Sequence, residues 1–264
     1  MFYIKIIRSY NRVHKQSIVN ALIIDDIPLI ISYNYDISNN FQAWNFNTDQ
    51  SQSLVAHTKG INDVQFKGQQ NIILSYDKAG QIIIWSYNSD LSKIKIQQRI
   101  SQNQNNQILN LFLFTKYSNL LISLDKIGNV FIPNFLDGTL VKAFKVSNMN
   151  SMIIDELYDR IFLYGSSIEI YSAVTGVKVQ EKIGFDNQIQ QIIFKNNYII
   201  AYGTLVIQFI ARDSLAVLYQ NQFLKNIHSL TVLMNLVGKV DNNIDFSIEV
   251  WDYTSGVMVS EIQN

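Results

Sequence analysis

Residues able to do chemistry are few here: three histidines, no cysteine, and short acidic groups at Asp25-Asp26, Asp155-Glu156 and Asp241 to Asp245. His14 and His57 invite a metal or acid–base reading. A zinc site needs several closely spaced thiolate or imidazole ligands, and scattered histidines in a chain without Cys do not supply them. Each acidic group could touch a cation, but none repeats the alternating ligands of a calcium loop. Solvation in loops is their expected role. G-x-S-x-G, H-E-x-x-H, the P-loop and G-x-G-x-x-G are all missing. Gly165-Ser166-Ser167 reads as a short turn and not as a nucleophile elbow. No catalytic residue, metal site or cofactor is expected.

The elements that hold these residues must form a large domain. At 264 residues the chain is long enough for one all-β domain, and a core of that size needs no disulfides. The lack of Cys suits a reducing compartment, so a cytoplasmic setting is expected. The formal net charge is zero and the pI about 6.8, so no global basic field collects nucleic acid or anionic membrane. MFYIKIIRSYNRVHK alternates apolar and basic residues and has no continuous signal-peptide core. Tyr198 to Ala211 is the longest apolar stretch. Gly203 breaks it, and it is too short to span a bilayer, so a soluble chain is expected. Abundant Ile, Asn and Gln are scattered singly, as an A/T-rich coding genome would leave them, and not in prion-like tracts.

His57 to Trp85 sets the pattern for the rest. Ile61, Val64 and Phe66 have strand-like spacing, NIILSY is a second apolar run, and Asp77-Lys78-Ala79-Gly80 is a tight turn. QIIIW is a third run ending on a large aromatic. Runs apolar on both pleat faces must be covered from both sides. The same offsets occur at His14-x3-Ile18-x2-Ala21-x-Ile23, and FQAW ends at Trp44, 41 residues before Trp85. Ser75-x-Asp77-Lys78-x-Gly80 returns as Ser123-x-Asp125-Lys126-x-Gly128, which puts Pro133 at the Trp position and should weaken strand pairing there. Trp251-Asp252-Tyr253-Thr254-Ser255-Gly256 places a turn Gly at plus five. Pro133 to Gly138 and Tyr171 to Gly176 share that offset, and Phe209 with Arg212-Asp213-Ser214 is a degenerate copy. The anchors fall at 44, 85, 133, 171, 209 and 251, with intervals between 38 and 48. All three tryptophans occupy that place. The first strand is blurred near Met152 to Leu157 and ambiguous at Leu230 to Val240, and the surplus before Pro133 is assigned to a polar connection, Gln97–Gln107.

These motifs resemble the WD40 repeat, whose pattern is a His, then x3-V-x2-V-x-F, then a Gly five residues before a Trp. The resemblance implies an all-β, WD40-like β-propeller forming a single domain over residues 1–264. It has six recognisable four-stranded blades plus an extra N-terminal strand, Ile4 to Arg12. Because Val257 to Ile262 already supplies a fourth strand to the last blade, one strand is left over. Either the sixth blade carries five strands, or three strands of a seventh blade belong to a missing segment or a partner chain. Seven is the commoner count in this family, so an incomplete ring completed by a neighbour is favoured.

The resemblance also implies roles for residues. His14, Trp44, His57, Ser75, Trp85, Trp251 and Asp252 become structural repeat anchors. His57, Ser75 and Trp85 would share a hydrogen-bonded network whose fourth member is an Asp six residues before the Trp. Ala79 stands there, with Asp77 two residues earlier, and Ser38 holds the equivalent place before Trp44. The expected network is therefore incomplete, with apolar packing holding the blade. Loops between strands two and three, and between strand four and the next blade, share the face that often docks partners. Lys59, Lys78, Arg99 and Lys126 map to that face. Such a rim could meet an acidic peptide, a phosphate or RNA, and four dispersed charges are also what a solvated rim carries. The expected function is a non-enzymatic scaffold docking other proteins in a multi-subunit assembly. The alternative is a nucleic-acid- or phosphoinositide-binding propeller using that rim; an enzyme comes third.

Overall fold

The computed structural model describes residues 20–24, 28–33, 41–67, 71–87, 94–101, 106–114, 119–185, 188–222, 227–233, 236–241, 247–252, 254–255 and 257–263. Among these, every regular element is a strand, and the strands form six four-stranded sheets. Sheet one is β1 (Asn20–Ile24), β2 (Leu29–Tyr33), β3 (Phe41–Asn45) and β4 (Gln50–Leu54). Sheet two is β5 (Ile61–Lys67), β6 (Ile72–Asp77), β7 (Gln81–Tyr87) and β8 (Ile94–Ser101). Sheet three is β9 (Ile108–Phe114), β10 (Leu120–Asp125), β11 (Asn129–Pro133) and β12 (Leu140–Lys145). Sheet four is β13 (Met149–Asp155), β14 (Arg160–Gly165), β15 (Ser167–Ser172) and β16 (Lys178–Gly184). Sheet five is β17 (Ile189–Lys195), β18 (Tyr198–Gly203), β19 (Val206–Ala211) and β20 (Val217–Gln222). Sheet six is β21 (Ile227–Leu233), β22 (Leu236–Asp241), β23 (Ser247–Asp252) and β24 (Val257–Gln263). Strand order follows chain order in every sheet. The chain clusters into two compact units, residues 1–113 with 119–141, and residues 114–118 with 142–264.

Both faces of the middle strands are apolar, and both are used. On β7, Ile83 and Trp85 join Phe41, Ile31 and Ile73 in a core between sheets one and two. Ile82 and Ile84, on the opposite pleat face, join Leu111, Leu113 and Leu121 between sheets two and three. The second unit repeats the scheme. Ile168, Ile170 and Ile210 pack with Phe162 and Ile189, while Ile207 and Phe209 pack with Ile227 and Leu230. The fourth strand of a sheet is the wet one: Gln50 to Ser53 on β4, and most of β8 and β12, are exposed or half-buried.

Each anchor sits in a third strand, but one is displaced by a residue. Ile30 pairs Trp44, Ile73 pairs Trp85, Ile161 pairs Tyr171 and Val237 pairs Trp251. In sheet five the equivalent pair is Ile199 with Ile210, not Phe209. Two further marks agree. The register shift between third and fourth strands falls just before Trp85, Tyr171, Ile210 and Trp251. The left-handed turn residue five places on is Gly138, Gly176 and, in sheet five, Leu215 at φ 62°. A one-residue slip reverses the face, which is why Phe209 packs toward sheet six while Ile210 packs toward sheet four. Leu215 bears the cost of that backbone region for a bulky side chain, offset by its burial beside Ile210.

Other expectations resolve as follows. The blurred strand before Leu157 is β13, and Leu230 to Val240 divides into β21 and β22. Gln97 to Ser101, assigned to a connection, belong to β8 instead. Pro133, which has no N–H to donate, ends β11, and only an isolated bridge, Leu120 to Asn134, continues the pairing. Ile4 to Arg12, and with it the question of ring closure, lies outside the described residues.

Sheets four and five join their second and third strands more tightly than sheets two and three. Gly165 and Gly203 stand where sheet two has Asp77, each pairing the first residue of the preceding strand. A Cβ on Gly165 would run into the Asn148 carbonyl oxygen, which is backbone and cannot swing away. Gly165→Ala should lower stability by about 1–3 kcal/mol, the usual cost of overpacking, while Ser166→Ala on the exposed turn stays within about 0.5 kcal/mol. Urea unfolding of both variants checks this; equal midpoints would show that the two strands do not approach so closely.

Candidate functional site

Among the described residues, the side chains closest to a catalytic arrangement lie in and beside sheet two. His57 Nε2 is 2.7 Å from Ser75 Oγ, and Trp85 Nε1–H donates to the same oxygen at 2.8 Å. On the other side of the imidazole, Nδ1 faces Asp77 Oδ2 at 3.3 Å, a long and poorly aligned contact. Asp77 Oδ1 accepts the backbone N–H groups of Ala79 and Gln81, both at 2.9 Å. One proton arrangement suits these contacts: Trp85 N–H to Ser75 and Ser75 O–H to His57 Nε2, which leaves the proton on His57 Nδ1 facing the Asp77 carboxylate. The expected gap in this network is thus filled. Spacing from the Trp pointed to Ala79, but the turn that follows β6 turns Asp77 inward, and the acid is set by that turn.

Asp, His and Ser stand in the order of a hydrolytic relay. What separates this set from an active site is access. Ser75 and Asp77 are 0% exposed, Trp85 2% and His57 4%. The nucleophilic oxygen is already occupied by the indole N–H, leaving no surface for a carbonyl to approach. Burial pushes the Asp77 carboxyl up, but the hydrogen bonds from His57, Gln81 and Ala79 outweigh it and hold the group below the ordinary carboxylate range. The arrangement ties the link before β5, the end of β6 and the end of β7 together.

Sheet three repeats the turn without the histidine. Asp125 Oδ1 accepts Ile127 N–H at 3.0 Å and Asn129 N–H at 2.8 Å, while Oδ2 receives the side-chain amides of Asn129 at 2.7 Å and Asn106 at 3.4 Å. Amides neutralise nothing, but they satisfy the buried oxygens. Ser123 turns instead to the Phe131 carbonyl at 3.5 Å.

The remaining candidate residues are spread out. Trp44 is buried on β3 and Trp251 half-buried on β23. Asp252 caps the turn after β23, accepting Thr254 N–H at 2.8 Å and its hydroxyl at 2.6 Å, and those bonds lower its pKa. Lys59, Lys78, Arg99 and Lys126 are all exposed. Arg99 lies on β8, not in a loop, and donates to the Ala56 carbonyl at 2.9 Å. His14 lies outside the described residues, as do Ser38 and Asp25-Asp26. Among the described residues no group of three or more His, Asp or Glu is placed to hold a metal ion, and no helix is long and apolar enough to cross a membrane.

Known structures share this arrangement of sheets. The computationally designed Ika8 protein aligns at a TM-score of 0.69 and 17% identity, covering 94% of this chain and 75% of that protein. Sqt1 of Saccharomyces cerevisiae aligns at 0.75 and 12% identity, covering 96% and 76% respectively. The fold is that of a WD40 β-propeller. No protein-family model matches the sequence, and neither does any curated protein. At these identities the likeness speaks for the propeller alone.

Two further sets of contacts hold the blades, and neither was read from the sequence. Asp155, expected to be a solvated loop acid, is fully buried at the end of β13. Arg212, in the turn after β19, grips both its oxygens, Nε to Oδ2 at 2.9 Å and Nη2 to Oδ1 at 2.6 Å. The bidentate bond to Asp155 raises the Arg212 pKa. Arg160 then donates to the carbonyls of Arg212 and Asp213 at 2.8 and 3.1 Å, so blades four and five are joined by two guanidinium groups. The second set is a row of buried tyrosines at the end of second strands. Tyr33 donates to Asp63 at 2.9 Å, Tyr76 reaches the Leu109 carbonyl at 3.4 Å, and Tyr202 donates to Gln191 at 3.1 Å. Burial, with Asp63 and Tyr33 nearby, raises the Tyr76 pKa. A signal was present: Tyr33, Tyr76, Tyr164 and Tyr202 recur at one position of the repeat.

Trp85 is both the apolar fill between blades one and two and the donor that completes the polar network. Its ring meets Phe41 edge-on at 5.0 Å. Trp85→Ala should cost about 3–5 kcal/mol, whereas Lys78→Ala at the exposed turn should cost less than about 0.5 kcal/mol. Thermal melts compare the two, and similar midpoints would remove Trp85 from the core.

Asp77 gives the network a pH signature. A carboxylate held below its unfolded pKa stabilises the fold above the ordinary value of about 3.9, and that contribution fades as pH falls through the folded value. Asp77→Asn should therefore be less stable than the natural chain at neutral pH, with the difference shrinking below about pH 4. Denaturant unfolding of both chains from neutral to acid pH measures it; a difference that stays constant would mean that Asp77 is not ionised in the fold.

Proposed function

We propose that this chain is a non-enzymatic WD40-repeat scaffold that mediates protein–protein contacts within a larger, cytoplasmic complex. The observation that carries the reading is the burial of Ser75, His57 and Asp77 beneath Trp85. This constellation, which has a hydrolase's order of groups, is spent on locking a blade. What is left for function is a rigid frame presenting turns and outer strands, which suits docking several proteins at once. The step from propeller to scaffold is an analogy of fold. Absence of cysteine agrees with a reducing setting. A nucleic-acid- or phosphoinositide-binding role is the alternative and would use the exposed Lys59, Lys78, Arg99 and Lys126.

Affinity capture from native cells with the full chain, partners identified by mass spectrometry, should return a defined set of proteins, and retention should survive nuclease treatment. A fluorophosphonate probe should leave Ser75 unlabelled. Specific labelling of Ser75 would end the non-enzymatic reading, and nucleic acid as the sole retained species would end the scaffold reading.

A further inference from the structure

At the turns that follow β6 and β10, in the first unit, the described acids are buried and the described lysines exposed. In two consecutive turns an acid and a lysine are adjacent, and the fold sends them opposite ways. Asp77 and Asp125 are buried and bound to the backbone N–H groups of their own turns, while Lys78 and Lys126 are exposed. The turns are contiguous with the links beside them. Lys78 N–H donates to the Gly60 carbonyl at 3.1 Å, next to Lys59, and Lys126 N–H donates to the Gln107 carbonyl at 2.9 Å. Gly80, in the first turn, lies against the Asn106 carbonyl, and the Asn106 side chain reaches Asp125 in the second. One chain of contacts thus runs from Lys59 through Lys78 and Asn106 to Lys126. Arg99 is tied to its other end through the Ala56 carbonyl.

Of the other described acids of the unit, Asp49 and Asp137 lie in turns between third and fourth strands, at the opposite ends of the sheets, and Asp63 is half-buried on β5 and accepts the Tyr33 hydroxyl. Four cations therefore stand outside two buried acids. Two aliphatic side chains are exposed among them, Val55 beside Ala56 and Ile127 beside Lys126. Among the described residues of this unit the exposed large apolar side chains are all aliphatic, and it is aromatic rings that bases stack on.

We infer that the arc of Val55, Lys59, Lys78, Arg99, Lys126 and Ile127 docks an acidic segment of a partner protein that carries aliphatic side chains among its carboxylates. Charge complementarity selects the segment and speeds its encounter; the aliphatic pair distinguishes it from a merely anionic polymer. This rests on the scaffold reading and names the partner's chemistry.

Fluorescence anisotropy with the full chain and a labelled peptide alternating glutamate and leucine tests it. Binding should weaken as salt rises. The double variant Lys78→Glu with Lys126→Glu should lose about tenfold or more in affinity, with its melting temperature unchanged because both positions are exposed. Lys142→Glu, an exposed lysine on β12, should bind as the natural chain does. Ile127→Ser should weaken binding without altering the salt dependence. No binding of the peptide, equal binding by the double variant, or tighter binding of single-stranded RNA or phosphatidylserine vesicles than of the peptide would each overturn the inference. Capture from native cells separates the two readings: partners retained equally by the natural chain and the double variant would overturn the arc and leave the scaffold standing.

Discussion

Everything in this fold follows from sheets that are apolar on both faces. A strand such as β7, with Ile82 and Ile84 on one side and Ile83 and Trp85 on the other, has no solvent face to offer. It is stable only between two other sheets, so no blade is self-sufficient. That requirement explains why the chain can be so poor in glycine and proline and yet wholly β. It also agrees with the exposed polar residues on the outer, fourth strands β4, β8 and β12, which lack the double cover of the middle strands.

Stacking apolar faces fixes neither the angle nor the register of neighbours, and polar contacts supply that. The first unit uses buried carboxylates at the turns after second strands, Asp77 with His57 and Asp125 with Asn129. Blades four and five have glycine at that place, because Gly165 and Gly203 bring backbone against the Asn148 and Gln188 carbonyls. A side chain cannot enter there. The lock moves to other strand ends instead, where Asp155 meets Arg212. Removing one partner of such a buried pair leaves an uncompensated charge costing about 3–5 kcal/mol, so the pair's importance lies in holding one arrangement of the blades. Both solutions obey the same rule, that a buried carboxylate needs two or more good donors.

The period was legible in the sequence because a large aromatic stands near the end of the third strand in sheets one, two, four and six, at nearly constant spacing. Trp44, Trp85 and Trp251 made that visible. Sheet five was read one residue off because both Phe209 and Ile210 are apolar, and only the bulge decides which of them faces the preceding blade. Asp77 was misjudged for a different reason. Its distance from the Trp is unusual, but its distance from Gly80 in the turn is what aims the carboxylate. Asp155 looked like a loop acid since its partner is 57 residues away, and no local pattern announces a contact of that range. The tyrosine row was open to view and unread, because a polar tip on a buried ring leaves no trace in a hydrophobicity pattern.

The turns that stabilise the first unit also decide what its surface shows. An acid followed by a lysine is electrically neutral as a sequence, and the whole chain sums to zero. Folding separates the two charges by depth. The carboxylate is drawn inward because the turn's own N–H groups, those of Ala79 and Gln81 or of Ile127 and Asn129, are left without strand partners and need an acceptor. The lysine is left outside because nothing buried can solvate an ammonium group. A demand of the backbone, repeated in two successive blades, thereby leaves a neutral pair of residues showing only its positive member at each of these turns. In such a protein net charge is a poor guide to partners, and the depth at which each charge sits is the better one.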